Sequence, residues 1–192
     1  MTRNLVEKPV RRRRVHRGGA VDFWSDRIRL PSGKTAVREY LGHPGAVAVV
    51  AVAGGKKSDP ELLFVRQYRY PVKEVTLEIP AGKLDPGESP LTCVQRELEE
   101  ETGFRAKRGR KRLSCWPTPA FANEVIHIYE ARDLVAGRFS PDDDEFIQPV
   151  RLSLSRALGL IETGRIKDSK TLIALLAFAR NIHFPRRSPP NK

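Results

Sequence analysis

Three glutamates, Glu97, Glu100 and Glu101, fall within five residues of one short segment. No other feature narrows the possible folds of this chain as much. At about 100° per residue, positions i, i+3 and i+4 share one helix face. Carboxylates crowded on that face repel one another. A hard divalent cation such as Mg²⁺, which prefers oxygen ligands, would relieve the repulsion. The helix limits are also legible. Ser89 is a good N-cap, Pro90 suits the first helical position, and Gly103 suits the left-handed residue after the last turn. Leu91, Val94 and Leu98 form an apolar stripe away from the acids. Taken alone, the acidic run reads equally as a solvated helix face.

The wider frame, residues 82–104 (GKLDPGESPLTCVQRELEEETGF), changes the reading. Gly82, Glu88, Arg96, Glu97, Leu98, Glu100, Glu101, Gly103 and Phe104 match GX5EX7REUXEEXGU, with U apolar, at every fixed position. The segment resembles the signature box of the Nudix hydrolases. That resemblance implies a loop–helix–loop holding Mg²⁺, or Mn²⁺, against a diphosphate. It implies Glu97 and Glu101 as main metal ligands, Glu100 as an assisting one and the Ala81 carbonyl as a further one. Arg96 is expected to orient the glutamates, and Glu88 to brace the loop. The implied fold is of the α+β class, an α/β/α sandwich with a mixed central sheet and a small N-terminal β extension.

Composition bounds the rest. The chain has 192 residues, 40 % of them hydrophobic, enough for one core domain with an extension. No apolar run reaches about 18 residues, which argues against a membrane span. The basic start lacks an apolar stretch and does not read as a secretory signal. Two cysteines, Cys93 and Cys115, give no disulfide framework, so a reducing cytoplasmic location is expected. The net charge is +12, but it is concentrated: residues 1–19 carry seven Lys or Arg against one Glu. Residues 105–112 (RAKRGRKR) hold six more cations. Arg11 to Arg14 could bind a polyanion non-specifically, but no interleaved aromatics support a nucleic-acid stacking platform.

Along the chain, residues 1–19 and 185–192 read as flexible basic tails. Residues 20–42 read as an N-terminal β extension and dimerisation element, with a hairpin turning at LPSGK. Residues 43–184 form the catalytic domain. Within it, strands are expected over 45–53, 62–70, 75–79, 113–116 and 125–130, and helices over 151–163 and 169–182.

The flanks of the box are similar to the ADP-ribose pyrophosphatase subgroup. VRQYRYPVKEVTLEIPAGK precedes it, Pro119 lies sixteen residues beyond Gly103, and GRIKDSKTLIALL follows near the end. By this resemblance Arg69 is expected near the diphosphate or terminal ribose. Glu78 is expected at a ribose hydroxyl or metal-bound water, or in a strand-end salt bridge. Phe23 or Trp24 would stack on adenine, and Arg38 would reach the site of a second subunit in a homodimer. The acidic run 142–146 either closes over the site through Asp144 and Glu145 or forms a solvated turn. Glu124, on the loop PTPAFANE, is the expected general base, with Glu100 as competitor. The implied reaction is hydrolysis of ADP-ribose to AMP and ribose 5-phosphate. Another nucleoside diphosphate sugar, a dinucleotide, or nucleotide sensing without hydrolysis are the alternatives.

Overall fold

The structure, a computed structural model, describes residues 5–183. The expected C-terminal tail, 185–192, lies outside the described residues. The chain divides into two compact units, one formed by residues up to 45 together with 116–125, the other by 46–115 and 126 onward.

The first unit is a four-stranded antiparallel sheet. Its strands are β1 (Lys8–Arg11), β2 (Arg14–Arg17), β3 (Asp22–Arg29) and β4 (Thr35–Gly42). β3 and β4 form the expected hairpin, turned by Gly33 at φ 85°. β1 and β2 both pair with β3, along its Ile28 and Phe23 halves respectively. The expectation of a flexible arginine tail is therefore corrected over residues 8–17. The physical reason lies across the ladder. Asp22 and Asp26 pair with Arg14 and Arg12, at 3.1 and 3.4 Å. The same guanidinium groups lie 4.6 Å (Arg12) and 5.8 Å (Arg14) from the Trp24 ring centre. A run of arginines that finds acids and an aromatic face on the next strand can be ordered while staying exposed.

The second unit is a mixed sheet in the order β11-β6-β5-β10-β9. The strands are β5 (Ala46–Lys56), β6 (Asp59–Arg69), β9 (Phe104–Cys115), β10 (Ile126–Ala136) and β11 (Ile147–Ser153). β10 runs parallel to β5, while the other pairings are antiparallel. Short strands β7 (Glu74–Glu78) and β8 (Ala81–Lys83) pair with β6 and β5. Three helices complete the unit: α1 (Pro90–Thr102), α2 (Leu154–Glu162) and α3 (Ser169–His183). None of the described helices is long and apolar enough to cross a membrane.

β5 shows why the sheet is sandwiched. Ala46, Ala48 and Val50 join a core with α2 and α3, whereas Val47, Val49 and Ala51 join a second core with α1. A strand covered on both faces is apolar at every position, as the run GAVAVVAVA is. Several element boundaries differ from expectation. Arg151 to Ser153 close β11 rather than open a helix; Val150 and Leu152 alternate inward, and Ser153 caps α2 by accepting from the Arg156 N–H at 3.2 Å. The basic run 105–112 belongs to one long strand, β9, at the end of the strand order, where exposed charges guard an edge.

Candidate active site

Local sequence builds the scaffold of the site. Ser89 Oγ accepts from the Thr92 N–H at 3.2 Å, and Gly103, at φ 73°, closes α1 by donating to the Glu99 carbonyl at 2.8 Å. Cys93, Val94 and Leu98 are fully buried against the sheet, which sets the rotation of the helix. The Cys93 thiol is pushed up to about 12 by burial and donates to the Lys83 carbonyl, so it is inert packing.

Arg96 organises the acids. Its Nε and Nη2 grip both oxygens of Glu88 at 3.0 Å, and its Nη1 reaches Glu97 at 2.8 Å and Glu100 at 3.0 Å. The Arg96 bond holds Glu88 down at about 2, and Glu88 also accepts from the Asp85 N–H. Glu88 is thus the brace expected of it, acting through Arg96. Gly82 is needed for space. A Cβ there would lie 1.8 Å from the Glu97 carboxyl. The Ala81 N–H donates to Glu101 Oε2 at 2.9 Å, which brings Ala81 against that carboxylate.

Glu97 and Glu101 are the strained pair. Burial pushes Glu97 up to about 7 and Glu101, only 3 % exposed, up to about 8. Each raises the other or is raised by a neighbouring acid, Glu100 beside Glu97 and Glu145 beside both. Two buried carboxylates that resist ionisation, with oxygen-only donors, fit a hard divalent cation. Among the described residues no three acid, His or Cys groups converge as a ready-made cage. Glu97 and Glu101 are the residues that would hold such a cation, with Glu100 joined to Glu97 through Arg96.

The pKa shifts set a direction for stability. Both groups have folded values above their ordinary value, so the metal-free fold loses stability as pH rises from the ordinary carboxylate range through about 8. Cation binding needs the ionised forms. We expect Mg²⁺ to raise the unfolding midpoint more at pH 8 than at pH 6, read by thermal denaturation with and without EDTA. Equal shifts at both pH values would contradict this ligand assignment.

Next to the box lies a second charged cluster. Glu78, 2 % exposed, takes both Nε and Nη2 of Arg69 at 2.9 Å, the Thr76 hydroxyl at 2.7 Å and a short contact from Lys170. Burial alone would raise Glu78, but Arg69 and Lys170 outweigh it and hold the group at about 2. The salt-bridge reading of Glu78 corresponds to its pairs with Arg69 and Lys170. Lys170 had no assigned role in the sequence. The only signal was its place in the GRIKDSKTLIALL likeness. Asp168 fixes it, bonding Lys170 at 3.0 Å and capping α3 through the Thr171 N–H at 3.0 Å.

Glu145 enters electrostatically. Its charge raises Glu97 and Glu101, and Arg69 in turn acts on it. Its side chain is exposed on the 142–146 turn, where partial desolvation and Asp142 raise its own pKa.

The remaining sequence candidates belong to the first unit. Glu124 Oε1 lies 3.8 Å from His43 Nε2, and Pro119 sits in the turn where Phe121 N–H donates to the Thr118 carbonyl. Arg38 is engaged by Glu7, with Nε to Oε2 at 3.0 Å. Phe23 and Trp24 are half-buried on β3, and Trp24 carries Arg12 and Arg14.

A mixed sheet between helices, with an arginine-braced glutamate helix packed on one face, is suited to metal-assisted cleavage of a diphosphate. The NUDIX domain profile matches residues 42–175. The chain belongs to the Nudix family and is a Nudix pyrophosphatase. It is 37 % identical over 175 residues to an ADP-ribose pyrophosphatase of Bacillus subtilis (strain 168), covering 90 % of this chain and 92 % of that one. It is also 41 % identical over 177 residues to a methanol dehydrogenase activator of Bacillus methanolicus, covering 91 % and 94 %. Its fold matches the crystal structure of an ADP compounds hydrolase with a TM-score of 0.81 at 24 % identity, over 95 % of this chain and 97 % of that one.

Proposed function

We propose that the nucleoside diphosphate derivative cleaved is ADP-ribose, giving AMP and ribose 5-phosphate. The observation that carries this is the convergence, within one unit, of the box glutamates with the Arg69–Glu78–Lys170 cluster. Arg69 feels Glu101 as well as Glu78, and its side chain is 42 % exposed, so its donors can face an anionic diphosphate. The likeness to the Bacillus subtilis enzyme supports the sugar nucleotide.

Mg²⁺, or Mn²⁺, would neutralise the diphosphate and supply an activated water. Glu97 and Glu101 hold the ion and Arg96 keeps their geometry. A carboxylate must take the proton of the water. Glu100 is tied to Arg96, and Glu124 sits beside His43. Glu145, exposed on the 142–146 turn, has its proton affinity raised by partial desolvation and by Asp142, and acts on both Glu97 and Glu101. A base works best with a pKa moved towards the working pH, so we place Glu145 ahead of Glu124. For the adenine, Trp24 is already covered by arginines, which leaves Phe23 as our choice. We also propose a homodimer, supported by exposed Val10, Val15 and Val37 on the N-terminal sheet, and a cytoplasmic setting, the default for a chain with only two cysteines.

The test is incubation with Mg²⁺ and a panel of nucleoside diphosphate sugars and dinucleotides, with products identified by mass. AMP and ribose 5-phosphate from ADP-ribose, at the highest kcat/KM of the panel, is the expected result. A higher kcat/KM for another sugar would replace the substrate, and binding without any cleavage would make the protein a sensor. Glu145→Gln should lose roughly 10²–10⁴-fold in turnover. Full activity in that variant, with loss in Glu124→Gln, would return the role of base to Glu124.

A further inference from the structure

A groove of the second unit lies away from the box. It has a volume of about 1200 Å³ and lies where β5 and β6 turn, bounded by Lys56, Lys57, Arg108 and Arg132, with Val52 and Ile182 on its apolar side. β8, which carries Ala81, pairs with the other end of β5 at Ala46 to Ala48. Eight residues of strand from Ala48 to Lys56 separate the two ends, roughly 26 Å at the usual rise. Arg108 and Arg132 also line a second groove, of about 760 Å³, with Lys107, Arg110 and Glu130.

The cations here are assembled against electrostatic cost. Arg108 and Arg132 are direct cross-strand partners, a pairing that like charges disfavour. Each is held by an acid. Glu130, 7 % exposed, takes Arg132 at 2.5 Å and also Arg112 at 3.2 Å and Arg110 at 3.6 Å. Asp133 pairs with Arg108 from a left-handed backbone, φ 56°, uncommon for a residue with a side chain. Two carboxylates therefore serve four guanidinium groups. Lys56, Lys57 and Lys107 form no ion pair among the described residues. A concave surface with that surplus of fixed positive charge, and an apolar wall at one side, complements a phosphate chain carried on a flat apolar group.

We propose that this groove is a second, non-catalytic site that binds the triphosphate chain of a nucleoside polyphosphate. Lys56, Lys57, Arg108 and Arg132 bind the phosphates, Glu130 and Asp133 hold the two arginines in place, and the side bearing Val52 and Ile182 faces the base. In EDTA the box lacks the cation that would hold a phosphate chain against its glutamates, so binding there reports on sites other than the box.

Calorimetric titration in EDTA and 150 mM salt tests this, using inorganic tripolyphosphate and ATP as probes on the full chain. Both should bind, and Lys56→Ala/Lys57→Ala/Arg108→Ala should raise both dissociation constants at least tenfold. The same variant should keep its kcat/KM for ADP-ribose with Mg²⁺, because none of the three residues belongs to the box or to the Arg69 cluster. Tighter binding of ATP than of tripolyphosphate assigns the apolar side to the base. Equal affinities assign the site to free polyphosphate and overturn the nucleotide. Unchanged affinities in the triple variant, or binding of a single-stranded oligonucleotide but of neither probe, overturn the site.

Discussion

Glu101→Gln is expected to lower kcat/KM on the order of 10³-fold, the scale of losing one pre-organised charged group at a reaction centre. The substitution keeps shape and keeps an oxygen for the Ala81 N–H, so the helix and its packing should survive. It removes a buried carboxylate whose ionisation is opposed by burial and by Glu97. Metal-free Glu101→Gln should therefore melt at or above the wild-type midpoint at pH 8. Its stabilisation by Mg²⁺ should disappear. These two readouts separate a ligand from a packing residue. A packing residue would lose stability in EDTA and retain its response to the ion. Near-normal turnover in the folded variant would remove Glu101 from the metal site.

The second large effect concerns stability. Glu78→Ala should cost about 3–5 kcal/mol, the usual result of deleting one partner of a buried ion pair. Most of that cost falls on Lys170, whose side chain is 12 % exposed and would keep only Asp168. Arg69, at 42 % exposed, can turn to water, so its share is small. For a domain of this size the loss corresponds to a fall of roughly 6–20 °C in the unfolding midpoint. Glu78→Leu combined with Lys170→Met should recover part of the loss, because an apolar pair of similar volume needs no counter-charge. The pH dependence has a definite sign. Glu78 is held at about 2, below its ordinary value, so its contribution is present above the ordinary carboxylate range. It is lost as pH falls from that range towards 2. A Glu78→Ala protein that unfolds within a degree or two of wild type at pH 7 would show that the cluster is not a stabilising element.

Glu88 and Glu78 show what could be read from sequence and what could not. Both are acids held near 2 by arginine. The partner of Glu88 is Arg96, eight residues on and inside one loop–helix segment. Its role as a brace was legible because Glu88 and Arg96 both stand at fixed positions of the box, and the resemblance implies that role. One partner of Glu78 is Lys170, 92 residues away, and no local pattern identifies it. The arginines of β1 and β2 show the same limit. Their charge density reads as solvation until Asp22, Trp24 and Asp26 are set opposite them. The helix expected to begin at Arg151 fails for a related reason. Three residues that pair as β11 with Leu63, Leu62 and Glu61 cannot start a helix, and only the ladder shows it.

The sequence by itself determined the box. Its caps, the buried Val94 and Leu98 and the acidic face follow from residues within a few turns of one another, whereas Leu91, expected in the same stripe, is 45 % exposed and the closeness of Gly82 to Glu97 depends on β8 pairing with β5. Tertiary structure alone decided which distant charges share the low-dielectric space beside that box. Lys170 and Glu145 come near Glu78 and Glu101 only after the sheet has closed and α3 has docked. Such pairings depend on chain closure and on burial that strengthens Coulomb forces, and neither quantity is written in the spacing of residues.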